Sequence, residues 1–212
     1  MNDPGELHSL MPVRARRILT AACVIAAAQF VSACGSHTTH HASGIAAAGS
    51  VGAADANNNG NYVKAGLMTY QMQVSRELNQ YTPEDSGYVR GLPKSESKLA
   101  PNQLWFGVFM WAKNETSRTL TTSGNFDIVD TQGTVYHPLK LDPAVNPYAW
   151  EAQALAPGAT EPNPTATAGT GPAGGRLLLF KLNTSIYDNR PLTLQIRAPS
   201  GKKVWGTISL DL

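Results

Sequence analysis

Leu104-Trp105-Phe106-Gly107-Val108-Phe109-Met110-Trp111-Ala112 decides the fold. Alternate residues of an extended strand point to opposite faces, and here both sets are apolar, so the spacing predicts a central strand covered on each side. It stops at the turn Lys113-Asn114-Glu115-Thr116. Upstream, Leu67 to Ser75 alternates, with Met68, Tyr70, Met72 and Val74 on one face and Thr69, Gln71, Gln73 and Ser75 on the other, which predicts an amphipathic strand. Downstream, Asn125–Val129 and Thr134–His137 flank Asp130-Thr131-Gln132-Gly133, a Gly-containing hairpin loop. Arg176–Leu182 is another apolar strand, and Leu192–Ala198 and Val204–Leu212 alternate around Pro199-Ser200-Gly201-Lys202, predicting a closing hairpin.

About seven strands and no long helix over the ~150 residues of an ordinary domain predict an all-β, two-sheet sandwich. Two long connections interrupt it. One runs from Leu78 to Pro101, and the other, Leu139 to Gly175, carries Pro143, Pro147, Pro157, Pro162, Pro164 and Pro172. Connections of that length are uncommon in compact domains.

The rest of the chain differs in kind. Phe30 is the only aromatic residue before Tyr62, and the other fifteen lie between Tyr62 and Trp205, so a core can form only there. Met11 to Cys34 reads MPVRARRILTAACVIAAAQFVSAC, a basic stretch, an apolar run from Ile18 to Phe30 and small residues before a cysteine. This is the layout of a secretory signal. The apolar run is too short and interrupted for a comfortable membrane span, which needs ~20 residues. Cys23 falls within the leader, so its removal leaves Cys34 as the sole cysteine and no intramolecular disulfide. Removal also leaves 14 basic against 13 acidic residues, from 17 and 15 in the whole chain. Such a balance excludes binding nucleic acid by bulk charge.

Gly35 to Asn61 has one charged residue, Asp55, and no aromatic. It predicts a flexible tether with a reach of ~25–30 Å. His37, His40 and His41 within it are weak metal-ligand candidates, because a Gly/Ala/Ser spacer offers few partners to orient the rings. The expected organisation is therefore a signal peptide over 1–33, an acylated Cys34 with linker over 34–61, and a sandwich over 62–212.

Two resemblances sharpen this reading. Val31-Ser32-Ala33-Cys34 resembles the bacterial lipobox, which implies a lipid on Cys34 and cleavage just before it. Leu104–Ser117, Phe126–Gly133 with Tyr136, Leu155-Ala156-Pro157-Gly158 and Leu178–Lys181 resemble the immunoglobulin-like, telokin-like domains of unknown function found in bacterial lipoproteins. That likeness implies an immunoglobulin-like fold and carries no catalytic set. The long Pro/Thr/Ala insertion after Gly158 departs from it.

No nucleophile motif, zinc motif or phosphate-cradling loop is present. His137, before Pro138 at a strand end, reads as a surface histidine. Arg76, Glu84, Asp85, Arg90 and Arg190 form a polar set in or beside the long loops, readable as a recognition surface or as loop-anchoring ion pairs. Tyr148 and Trp150, in a Pro-flanked loop, read equally as exposed anchors or as caps on one end of the sandwich. The expected function is a non-catalytic, cofactor-free binding module, lipid-anchored on the extracytoplasmic face of the membrane, with an envelope protein or glycan as partner. The alternatives are a metal-binding lipoprotein using the tether histidines and an envelope hydrolase with a loop-built site. A hydrolase requires a concave pocket with convergent carboxylates.

Overall fold

The computed structural model describes residues 54–56 and 62–210. In chain order the strands are β1 (Ala54–Ala56), β2 (Tyr62–Ala65), β3 (Met68–Leu78), β4 (Gln103–Lys113), β5 (Leu120–Thr121), β6 (Phe126–Val129), β7 (Val135–Tyr136), β8 (Ala154–Leu155), β9 (Thr160–Glu161), β10 (Arg176–Asn183), β11 (Leu192–Arg197) and β12 (Val204–Leu210). Two single-turn helices, α1 (Pro83–Ser86) and α2 (Thr167–Thr170), and a 3-10 turn at Thr184–Tyr187 complete the described elements.

One sheet has the order β1-β12-β11-β6-β7, and the other β10-β4-β3-β2 with β9 also on β4. The chain crosses between sheets from β4 to β6 and from β10 to β11, which is the pattern of an immunoglobulin-like sandwich. Each of the seven strands predicted from alternation is present. Ala54–Ala56, inside the stretch expected as tether, pair in parallel with Gly206–Ile208. The Pro-rich segment lies between β7 and β10, where an immunoglobulin sandwich carries a further strand, and supplies the short β8 and β9 instead.

The double apolar face of β4 has a physical cause on each side. Leu104, Phe106, Val108, Met110 and Ala112 join Met68, Tyr70, Phe180, Ile196 and Ile208 between the sheets. Trp105 and Phe109 point the other way, into a second cluster with Tyr88, Leu141, Ala149, Leu177 and Leu179. That second cluster is roofed by the two long connections. The Trp150 N–H donates to the Leu177 carbonyl at 3.0 Å and the Leu139 N–H to the Leu179 carbonyl at 2.7 Å, so the Pro-rich segment also caps the edge of β10. The interior leaves little room: a Cβ on Gly175 would stand 3.0 Å from the Met110 carbonyl oxygen.

Tyr70 is buried among Phe126 and Trp150, and its hydroxyl oxygen accepts the Ser123 N–H at 2.7 Å. Burial pushes its phenol up to about 12 from the ordinary 10. The folded state thus favours the neutral phenol, and this contribution is whole below pH 10 and lost as pH rises through about 12. We expect the free energy of unfolding to fall over that window with a slope of up to ~1.4 kcal/mol per pH unit. Urea titrations in alkaline buffers, compared with Tyr70→Phe, check it. The variant should flatten the slope only in part, because burial also raises Tyr88 and Tyr136.

Candidate functional site

The strands give the sandwich two ends. Phe126, Arg197, Val204 and the turn at Pro199–Lys203 lie at one, the hairpin end; Leu78, Gln103, Asn183 and Leu192 lie at the other, the far end. At the far end the chain leaves β3 through Asn79-Gln80-Tyr81-Thr82-Pro83. Asn79 Oδ1 accepts the Tyr81 N–H at 3.0 Å, and the Asn79 carbonyl accepts both the N–H and the hydroxyl of Thr82 at 3.0 Å. Pro83 then opens α1 with a φ already suited to a helix start. Beneath the turn Arg76 grips Asp85 with two hydrogen bonds, at 3.0 and 2.5 Å, and the Asn79 N–H adds a third at 2.9 Å. The arginine hydrogen bonds hold the Asp85 carboxyl below the usual carboxylate range.

This turn holds Tyr81 outward, 87% exposed. Beside it lies a hollow of about 520 Å³ lined by Glu77, Asn79, Gln80, Asp85, Leu99, Gln103, Leu104 and Trp105 among others. Its polar groups are oriented by the protein. Gln80 Oε1 accepts the Trp105 indole N–H at 3.1 Å, Gln103 Oε1 accepts the Ala100 N–H at 3.0 Å, and Glu77 Oε2 accepts the Tyr187 hydroxyl at 2.6 Å. That last bond, before burial, raises the Tyr187 phenol.

Of the polar set expected from sequence, the structure brings Arg76 and Asp85 together as a loop-anchoring pair, with Asp85 also lining the hollow. Glu84 is exposed on α1, Arg90 is exposed further along the loop with its carbonyl held by Asn146 at 3.0 Å, and Arg190 is exposed before β11. Tyr148 and Trp150 are half-buried. Tyr148 stacks edge-on to Tyr88 at 4.8 Å, and Trp150 packs on Phe126 at 5.3 Å while its indole N–H donates to the Ser123 carbonyl at 2.9 Å. Trp150 thus lies against the inter-sheet core and Tyr148 against the second cluster. Tyr81, Glu77, Gln80 and Gln103 were not singled out by sequence reading; the signal was an aromatic residue set between the turn formers Asn79 and Thr82-Pro83.

A second hollow, of about 610 Å³, opens near the hairpin end around Asp127, His137 and Arg197. His137 Nδ1 lies 2.6 Å from Asp127 Oδ1, and the Arg197 Nε faces Asp127 Oδ2 as an ion pair without a directed hydrogen bond. The imidazole is 77% exposed, consistent with a surface histidine, yet it is paired, which the sequence did not suggest. Among the described residues, those lining this hollow include no Ser, Thr or Cys.

No protein-family profile matches the chain, and no curated protein does. Three solved structures resemble it at low identity. The yjhA protein from Bacillus subtilis is 10% identical with a TM-score of 0.48, over 73% of this chain and 99% of that one. An uncharacterized β-sandwich protein from Clostridium difficile 630 is 10% identical with a TM-score of 0.39, over 75% and 96%. A conserved hypothetical protein from Bacillus anthracis is 12% identical with a TM-score of 0.41, over 72% and 94%.

The expected signal peptide, Cys34 and, in the expected tether, His37, His40 and His41 lie outside the described residues. Among the described residues no three His, Cys, Asp or Glu side chains gather as a metal site, and no helix is long and apolar enough to cross a membrane.

The Arg76–Asp85 clamp makes a prediction. Arg76→Ala leaves a buried carboxylate with the Asn79 N–H, and we expect a loss of ~2 kcal/mol, at the low end for broken pairs because Arg76 is partly exposed. Amide hydrogen exchange should quicken at Thr82, Ser86 and Tyr88, whose N–H bonds the turn closes. In the parent chain the clamp is whole above the ordinary carboxylate value of about 3.8 and weakens as pH falls through the lower folded value.

Proposed function

We propose that this chain is a lipid-anchored, extracytoplasmic binding module without catalytic activity, held to the membrane through Cys34 and recognising its partner with the far rim of the sandwich. The observation that carries the reading is Tyr81, held out into water on a turn fixed by Asn79 and by the Arg76–Asp85 clamp. An exposed aromatic side chain costs solvation, and a rigid turn beneath it lowers the entropy lost on binding. Tyrosines so placed are common anchors of recognition surfaces. β1 starts level with Gly206 at the hairpin end, so a tether entering there leaves the rim on the opposite side, facing away from its attachment.

Two carboxylates line the rim hollow, as a hydrolase would require, but both are engaged by the protein itself, Asp85 by two hydrogen bonds from Arg76 and Glu77 by the Tyr187 hydroxyl. Groups committed in this way support binding, since a catalytic pair must be free to exchange protons with a substrate. The test is photo-crosslinking in intact envelopes. A crosslinker at position 81 should capture a specific adduct that a crosslinker at Val145, also exposed, does not. Equal capture at both positions, or none at 81, would remove the rim from the reading, and release of the Cys34→Ser chain from membranes checks the anchor.

A further inference from the structure

Resting on that reading of the rim, we propose that the hollow beside Tyr81 takes a neutral saccharide. Its lining sets the protruding phenol ring of Tyr81 beside the half-buried Leu99, so apolar C–H faces have a surface to lie on, while the buried Leu104 and Trp105 close the bottom. Around that floor stand groups for hydroxyls. The Gln80 and Gln103 oxygens are engaged by Trp105 and Ala100, so the donors these two amides bring to the hollow are their NH₂ groups, while the Glu77 carboxylate is an acceptor steadied by Tyr187. Fixed donors and acceptors beside an aromatic plane match a ring that has hydroxyls at its edge and C–H bonds on its face.

Other ligand classes fit less well. An anion finds its cations committed, since Arg76 is bound to Asp85 and Lys181, over the Trp105 ring, is bound to Glu96 at 2.9 Å. A peptide adding as a strand finds no open edge between Leu78 and Trp105, which pair with each other. The apolar floor is flanked by amides rather than by a deep apolar slot, so a lipid tail has no channel.

The experiment uses the full chain in detergent, with chitotetraose, cellotetraose and mannotetraose as probes and inorganic phosphate and a capped tetra-alanine peptide as controls. The reporters are the Trp105 indole N–H and the Gln80 side-chain amide in nuclear magnetic resonance spectra, both inside the hollow. At least one tetrasaccharide should shift these signals with a Kd near or below ~1 mM, a typical weak affinity. Tyr81→Ala should weaken that binding about tenfold or more, as loss of an anchor does. Tyr62→Ala, an exposed tyrosine on β2, should leave it unchanged. The proposal is overturned if no tetrasaccharide moves either signal, if phosphate or the peptide moves them more strongly, or if Tyr81→Ala and Tyr62→Ala behave alike. Capture of a polypeptide at position 81 would overturn the sugar while leaving the rim as a binding face. Specific capture is therefore the result that separates the two readings.

Discussion

Replacing Asn114 by alanine is expected to lower the unfolding free energy by ~3–4 kcal/mol, the sum of several polar groups left unpaired in the interior. Asn114 is fully buried where β4 ends. Its Nδ2 donates to the carbonyls of Arg118 and Leu155 at 2.8 Å and of Ala156 at 3.2 Å, and its Oδ1 accepts the N–H and hydroxyl of Thr116 at 3.0 and 2.7 Å. One side chain thus ties the turn after β4 to the segment that carries β8. Alanine abandons the Leu155 carbonyl in the interior and those of Arg118 and Ala156 at its partly buried margin. Asn114→Asp discriminates between lost volume and lost hydrogen bonds. It keeps the acceptor for Thr116 but sets a carboxylate against three carbonyl oxygens, so it should be at least as damaging at neutral pH. Recovery on acidification, when the carboxyl gains a proton to donate, is the expected signature in urea titrations. An alanine variant within ~1 kcal/mol of the parent would show that the carbonyls find other partners.

Arg176→Leu is the second large effect. Glu161 is buried on β9, and Arg176 Nε donates to its Oε1 while Arg176 Nη1 donates to the Pro147 carbonyl. The arginine therefore joins β10 to both halves of the Pro-rich segment. Losing it strands a buried carboxylate, and breaking such a pair costs ~3–5 kcal/mol. Removing both charges is different, since a well-packed apolar replacement of a buried pair is often neutral or better. We expect Arg176→Leu with Glu161→Leu to recover most of the loss, leaving a coupling energy of ~2–3 kcal/mol in a double-mutant cycle. Additive losses would mean that the pair does not act as a unit.

The strands were legible because each carried its own periodicity. Met68-Thr69-Tyr70-Gln71-Met72 reads as one buried and one wet face; Met68, Tyr70 and Met72 do enter the core, but Thr69 is buried too, its hydroxyl donating to Glu115. A register shift between Met72 and Val74 turns Val74 to the second cluster. The two apolar faces of β4 announced two covers, but only one could be named, since the second is assembled from Tyr88, Leu141 and Ala149, each isolated in a loop without a period. Such contacts join residues far apart in the chain. Asn114 was visible as punctuation at a strand end, whereas its work as a brace depends on Leu155 and Ala156, some forty residues later. β2 was missed because its four residues, Tyr-Val-Lys-Ala, are too few to display alternation. The candidate site followed the same rule. Arg76 and Asp85 stood out as charges, yet Tyr81 gains meaning only once the turn that exposes it is built.

The parallel pairing of β1 with β12 has a mechanical consequence. Tension drawn through the chain ahead of Ala54, and resisted by something grasped at Tyr81, acts along the strand axis. Ladder hydrogen bonds lie across that axis, so the register Ala54–Gly206, Asp55–Thr207 and Ala56–Ile208 is loaded in shear, and its links must fail together instead of peeling one by one. A short seam placed in that direction resists being dragged open far better than the same few bonds pulled from their end.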